Sequence, residues 1–159
     1  MKAGRILVVD DEESTRSMLS DYFIDLGYDV ETANDGEDAL KKFIPGAFDC
    51  VISDLFMPTI DGLELLKKIK NEDHEVFFLV MTGFPAIDSA VNAMKEGAYD
   101  YITKPFHMDD IRMKVERAIS VKKTEASLKR VKGLFLSVII LLPVLVSLGI
   151  LFGIFWKGK

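Results

Sequence analysis

Arg5-Ile6-Leu7-Val8-Val9-Asp10-Asp11 decides the fold, because an apolar run of strand character stops there on two adjacent carboxylates. The pattern recurs. Cys50-Val51-Ile52-Ser53 stops on Asp54, Val76-Phe77-Phe78-Leu79-Val80-Met81 on Thr82, and Ala98-Tyr99-Asp100-Tyr101-Ile102-Thr103 on Lys104. Each run has the character of a buried strand. In an open parallel sheet the strand C-termini share one edge, so Asp10, Asp11, Asp54, Thr82 and Lys104 are expected to converge.

Helical periodicity fills the intervals. Met18, Leu19, Tyr22, Phe23 and Leu26 recur at three- and four-residue spacing and Gly27 closes that helix. A weaker strand follows over 28–33. Asn34 or Asp35 can cap a short helix carrying Ala39, Leu40 and Phe43, which Pro45-Gly46 ends. Asp61-Gly62 opens a third helix with Leu63, Leu66 and Ile69 inward and Lys67, Lys68 and Lys70 toward water. A fourth spans 86–96, ended by Gly97, and a fifth 108–121. Residues 76–81 are apolar throughout, which suits a strand covered on both faces. Five strands alternating with five helices predict the α/β class, a doubly wound parallel sheet with helices on both faces.

With 159 residues, 49% of them apolar, the chain has ample material for one core plus an appendage. Its formal charge of -5 hides an asymmetry: residues 1–117 hold 24 acids and 13 bases, residues 118–159 one acid and seven bases. Such a split means two environments for two parts of the chain. The acidic part argues against a nucleic-acid partner. Cys50, the single cysteine, has no internal disulfide partner and is expected as a small buried hydrophobe. Only four apolar residues separate Arg5 from Asp10, too few for a signal peptide, so the N-terminal domain is expected in the cytoplasm.

Residues 134–156 form 23 consecutive positions without a charge. At about 1.5 Å per residue a helix of that length covers about 34 Å, enough for a hydrocarbon core of roughly 30 Å. Lys122, Lys123, Lys129, Arg130 and Lys132 precede the run, Lys157 and Lys159 follow it, and Trp156 suits an interface. The positive-inside bias places the acidic domain on the cytoplasmic side of a single-pass transmembrane helix. Pro143, mid-run, leaves a hairpin or surface-lying segment as the alternative. Gly149 and Gly153 make a small-xxx-small pair that can mark a homodimer face, although packing-neutral glycines are common in membrane helices. The expected division is a domain over 1–121, a basic juxtamembrane stalk over 122–133 held at anionic headgroups, the span over 134–156 and a tail over 157–159.

Three carboxylates brought together repel one another unless something positive shares the site. Hard oxygen donors in small number suit magnesium, which keeps waters and leaves room for a phosphate. One carboxylate can then act as a nucleophile, while Lys104 neutralises one phosphoryl oxygen and the Thr82 hydroxyl bonds another. Taken singly, Asp, Thr or Lys at a strand end is an ordinary turn or surface residue. The set carries the signal.

Over residues 5–121 the sequence resembles the receiver domain of two-component response regulators. Val8-Val9-Asp10-Asp11-Glu12, Ser53-Asp54-Leu55-Phe56-Met57-Pro58 leading to Asp61-Gly62, Met81-Thr82-Gly83, Gly97-Ala98-Tyr99-Asp100-Tyr101 and Lys104-Pro105-Phe106 carry the resemblance. The wording is similar to receivers of nitrogen-regulator-type activators, without the ATPase or helix-turn-helix output expected there. The resemblance implies a flavodoxin-like strand order 2-1-3-4-5. It also implies Asp54 as phosphoacceptor, and Mg2+ held by Asp10, Asp11, Asp54 and the backbone carbonyl of Phe56. Lys104 would contact the phosphoryl group, with a cis bond to Pro105 aiming its ammonium into the site. Thr82 would swing toward the phosphoryl oxygens and Tyr101 would follow inward, altering the surface around the fourth helix, fifth strand and fifth helix.

His74 and His107 are expected as solvated loop residues, so the phosphodonor is a sensor histidine kinase or phosphotransfer protein. The expected protein is a switch, not a turnover enzyme, in a bacterial inner membrane, with lipid bilayer and an effector protein as partners. A phosphate sink and an unphosphorylated scaffold are the alternatives. A haloacid-dehalogenase-like phosphatase needs Asp-x-Asp, and Asp54-Leu55-Phe56 lacks the second acid. Phe56 and Phe84, each two residues past a site residue, are expected either to restrict the in-line water or to pack against the switch helix.

Overall fold

Side chains along a strand point alternately to its two faces, and that alternation builds the domain. The structure, a computed structural model, describes residues 3–122 and 124. Strands β1 (Arg5–Val9), β2 (Asp29–Ala33), β3 (Cys50–Asp54), β4 (Phe77–Thr82) and β5 (Asp100–Thr103) pair in the order β2-β1-β3-β4-β5, every neighbour parallel. Parallel neighbours need crossovers, supplied by α1 (Glu13–Asp25), α2 (Gly36–Lys42), α3 (Gly62–Glu72) and α4 (Ile87–Lys95). Helix α5 follows β5 over residues 108–122. This is the doubly wound α/β sheet predicted above.

Each face of the sheet has its own core. Leu7, Val9, Val51, Phe78 and Val80 meet Ala39, Leu65, Leu66, Ile69 and Ala93 from α2, α3 and α4. On the opposite face Ile6, Val8, Cys50, Ile52, Leu79 and Met81 meet Leu19 and Phe23 of α1 and Ile111 and Val115 of α5. Burial on both faces explains why β1 and β4 are apolar at nearly every position. At about 0.8 kcal/mol per buried methylene, the fully buried Phe23, Phe48 and Phe78 are among the largest contributors. Cys50 lies fully inside, where burial raises its thiol pKa far above the ordinary value, as suits an inert hydrophobe.

Several local expectations are corrected by packing. Helix α2 is capped by Asp35, whose side chain accepts from the Asp38 amide at 2.7 Å. It stops at Lys42, short of Pro45-Gly46: Phe43 is already extended and its ring is buried in the core against Phe48. In α3 the inward residues are Leu65, Leu66 and Ile69, with Leu63 only half-buried. Lys70 turns back instead of reaching water, donating to the Val76 carbonyl at 2.6 Å and the His74 carbonyl at 3.3 Å. Met18 and Leu26 of the α1 pattern stay largely exposed. Gly27 and Gly97 end α1 and α4 as expected, with φ of 86° and 96°.

Among the described residues no helix is long and apolar enough to cross a membrane. The run 134–156, with Gly149, Gly153 and Trp156, lies outside the described residues, as does the stalk apart from Lys122 and Thr124.

Candidate functional site

The sheet grows outward from β1 in two directions, to β2 on one side and β3 on the other. Such a switch point opens a crevice at the strand C-termini. Asp10 follows β1 directly and Asp54 is the last residue of β3, so both side chains reach that crevice, with Asp11 next to them. One carboxylate oxygen from each of Asp10, Asp11 and Asp54 lies within 4.8 Å of the others.

Lys104 arrives from the far side of the sheet. It follows β5 immediately, its backbone N–H donates to the Thr82 carbonyl at 2.7 Å, and its bond to Pro105 is cis as expected. Its Nζ stands 2.8 Å from Asp10 Oδ2 and 3.1 Å from Asp54 Oδ1. Asp10 and Asp54 are buried and Asp11 is exposed.

Burial pushes the Asp54 carboxyl above the ordinary carboxylate range; the Lys104 ammonium pulls it back, and the charges of Asp10 and Asp11 push it further up. Burial also works against the Lys104 ammonium, but the hydrogen bond and charge of Asp10, then of Asp54, outweigh it and raise the lysine. Three acids thus face one base. Asp54 Oδ1 is buried with no hydrogen bond of good geometry, holding only the ionic contact to Lys104 among the described residues. A buried carboxylate oxygen with room for a further partner, beside two more carboxylates, is a donor set that fits magnesium.

Thr82 is buried, and its Oγ1 accepts from the Phe84 amide at 3.1 Å, which leaves the hydroxyl proton for another acceptor. Tyr101 is not brought into the carboxylate cluster. Its hydroxyl lies 3.0 Å from Ser89 Oγ, and because Ser89 donates to the Ala86 carbonyl at 2.8 Å, Tyr101 is the donor of that pair. Phe56 and Phe84 meet edge to face with centroids 6.1 Å apart, and remain 54% and 78% exposed. His74 and His107 are exposed loop residues.

Two contributions to the site escaped the sequence: the close approach at Gly62, read there only as a helix start, and the reach of Arg16. Gly62, the first residue of α3, presses so closely on the end of β3 that a Cβ there would lie 2.2 Å from the Asp54 carbonyl oxygen. Arg16 donates through Nη1 to the carbonyls of Asp10 at 2.7 Å and Asp11 at 3.3 Å. A base in the first turn of a helix, where acids are favoured, was the signal that could have revealed Arg16.

Residues 6–116 match the response regulator receiver domain family. Regulatory protein AtoC of Escherichia coli K12 is 35% identical over 126 residues, covering 79% of this chain and 27% of its own length. The DNA-binding transcriptional regulator NtrC of Escherichia coli K12 is 38% identical over 120 residues, covering 76% of this chain and 26% of its own. This chain therefore spans about a quarter of the length of these curated relatives. A solved response regulator receiver domain protein from Clostridium thermocellum aligns with a TM-score of 0.73 at 32% identity, over 76% of this chain and 98% of that one. Receiver domains are phosphorylated on an aspartate, bind Mg2+ at an acidic pocket of this kind and interact with histidine kinases or phosphotransfer proteins. With the match covering most of the sequence and the fold agreeing with an entire solved receiver, the chain belongs to the response regulator receiver domain family of two-component signalling.

Proposed function

We propose that this chain is a membrane-anchored switch that accepts a phosphoryl group on Asp54 and reports it through its surface rather than turning over a substrate. The observation that carries the acceptor role is the buried Asp54 carboxylate, grouped with Asp10 and Asp11 and touched by the Lys104 ammonium. A phosphohistidine on a partner kinase or phosphotransfer protein is the donor. An Asp54 carboxylate oxygen bonds to phosphorus as the P–N bond breaks, and the electron pair of that bond returns to the leaving imidazole. Mg2+ supplies charge neutralisation for the phosphoryl oxygens, and Asp10, Asp11, Asp54 and the backbone carbonyl of Phe56 would hold it. Lys104 places its cation beside the acceptor, where it is already paired.

Thr82 donates its hydroxyl proton to the new phosphoryl oxygens. Tyr101 then leaves Ser89 and turns inward, which changes the face made by α4, β5 and α5. Phe56 and Phe84 stand at the mouth of the site and slow the entry of hydrolytic water. Residues 134–156 carry the anchor in this reading, with the basic stalk at the cytoplasmic face of a bacterial inner membrane and an effector protein meeting the switch there. Gly149 and Gly153 offer a face for a homodimer.

Incubating the full chain with acetyl phosphate and Mg2+ tests the acceptor by intact-mass spectrometry. The parent gains one phosphoryl mass and Asp54→Ala gains none; equal labelling of both would sink the assignment. Flotation with anionic phospholipid vesicles tests the anchor, since the full chain should float and residues 1–122 should not.

A further inference from the structure

We propose that Arg16 is a positioning residue for the metal-binding loop, acting through the backbone of Asp10 and Asp11; this rests on the phosphoacceptor reading above. Arg16 sits in the first turn of α1, where the positive end of the helix dipole disfavours a cation. Its guanidinium does not stay in water. Nη1 turns back to the strand end and donates to the Asp10 carbonyl at 2.7 Å and, more weakly, to the Asp11 carbonyl at 3.3 Å.

The three acids of the cluster are tied down unequally. Asp10 Oδ1 accepts from the Glu12 amide at 2.9 Å and its Oδ2 from Lys104 at 2.8 Å. Asp54 is held by the strand it ends. The Asp11 side chain is exposed and accepts no hydrogen bond among the described residues, so the backbone that carries it is the one part of Asp11 held in place. Mutual repulsion of carboxylates within 4.8 Å works to push that untied member outward. Arg16 opposes this by clamping the two successive carbonyls of Asp10 and Asp11, one on each side of the Asp11 Cα. Because it grips carbonyls and leaves the carboxylate oxygens unengaged, the clamp preorganises the ligands without competing with a cation for them. Partners that orient metal ligands in this way typically change metal affinity by about 10–100-fold.

Magnesium titration calorimetry on the full chain, with urea unfolding in chelator and acetyl phosphate labelling beside it, tests the role. Arg16→Met should weaken Mg2+ binding by about tenfold while the urea midpoint in chelator barely moves. Its labelling rate should fall at limiting Mg2+ and recover at saturating Mg2+. Arg16→Lys, which keeps one charged donor, should restore part of the affinity. Parent-like Mg2+ affinity in Arg16→Met overturns the proposal, as does weakened binding that merely follows a lowered midpoint in chelator and is not rescued by lysine. Asp54→Asn separates the two levels. If Asp54→Asn gains phosphoryl mass from acetyl phosphate as fully as the parent, the phosphoacceptor reading falls together with the role of Arg16. If Asp54→Asn weakens binding and Arg16→Met does not, only the role of Arg16 falls.

Discussion

Replacing Gly62 by alanine sets two physical expectations against each other. Helix propensity alone favours the change by about 1 kcal/mol, because glycine is the poorer helix former. The packing says the opposite. A Cβ at Gly62 would stand 2.2 Å from the Asp54 carbonyl oxygen and 2.9 Å from Leu55 Cα, both backbone atoms. Ordinary contact begins at 3.4 Å, so the start of α3 and the end of β3 must part by about 1.2 Å. That separation strains the 2.8 Å hydrogen bond from the Gly62 amide to the Leu55 carbonyl. Overpacking of this kind costs about 1–3 kcal/mol and a lost hydrogen bond about 1 kcal/mol more. After the propensity gain, Gly62→Ala should be destabilised by about 1–3 kcal/mol. Urea unfolding by circular dichroism should show a lowered midpoint at unchanged slope. Gly83→Ala, with open space around its Cβ, is the control and should move little. The displaced backbone carries Asp54 itself, so Mg2+ affinity should fall as well. A Gly62→Ala chain as stable as the parent, with parent-like Mg2+ binding, would refute the close-approach argument.

Asp54 titrates higher in the fold than in the unfolded chain, mainly through burial, so its contribution to stability declines as pH rises through the window between the two values. Asp54→Asn should therefore melt higher than the parent at pH 7 in chelator, with the gap closing as pH falls below the ordinary aspartate value of about 3.9; a lower-melting variant contradicts this. Phe56→Asn and Phe84→Glu should each shorten the lifetime of the phosphorylated chain, followed by loss of phosphate after removal of donor, and unchanged lifetimes would leave the aromatic pair with a packing role only. Asp61 caps α3 by accepting from the Glu64 amide at 2.8 Å, so Asp61→Ala should cost about 1 kcal/mol in urea unfolding while leaving Asp54 labelling intact.

The alternation of strands and helices, and the edge on which the polar residues gather, follow from the order of residues along the chain. Hydrophobic period is a local property, and parallel strands put every C-terminus on one side, so Asp10, Asp54, Thr82 and Lys104 were bound for the same edge once their strands were recognised. Helix caps at Asp35 and Asp61 were legible for the same local reason. What meets what across that edge is settled by packing. Lys104 pairs with Asp10 across 94 residues, and no periodicity specifies such a contact. Lys70 left the solvent side predicted for it because strand-end carbonyls lay within reach. Tyr101 found a partner in Ser89, Gly62 let α3 approach the end of β3, and Arg16 turned from the helix surface to the Asp10–Asp11 loop. Each of these depends on the distance between backbones that are remote in sequence or on the free path of a long side chain. Such distances are set when the two faces of the sheet pack, not by the order of residues along any one element.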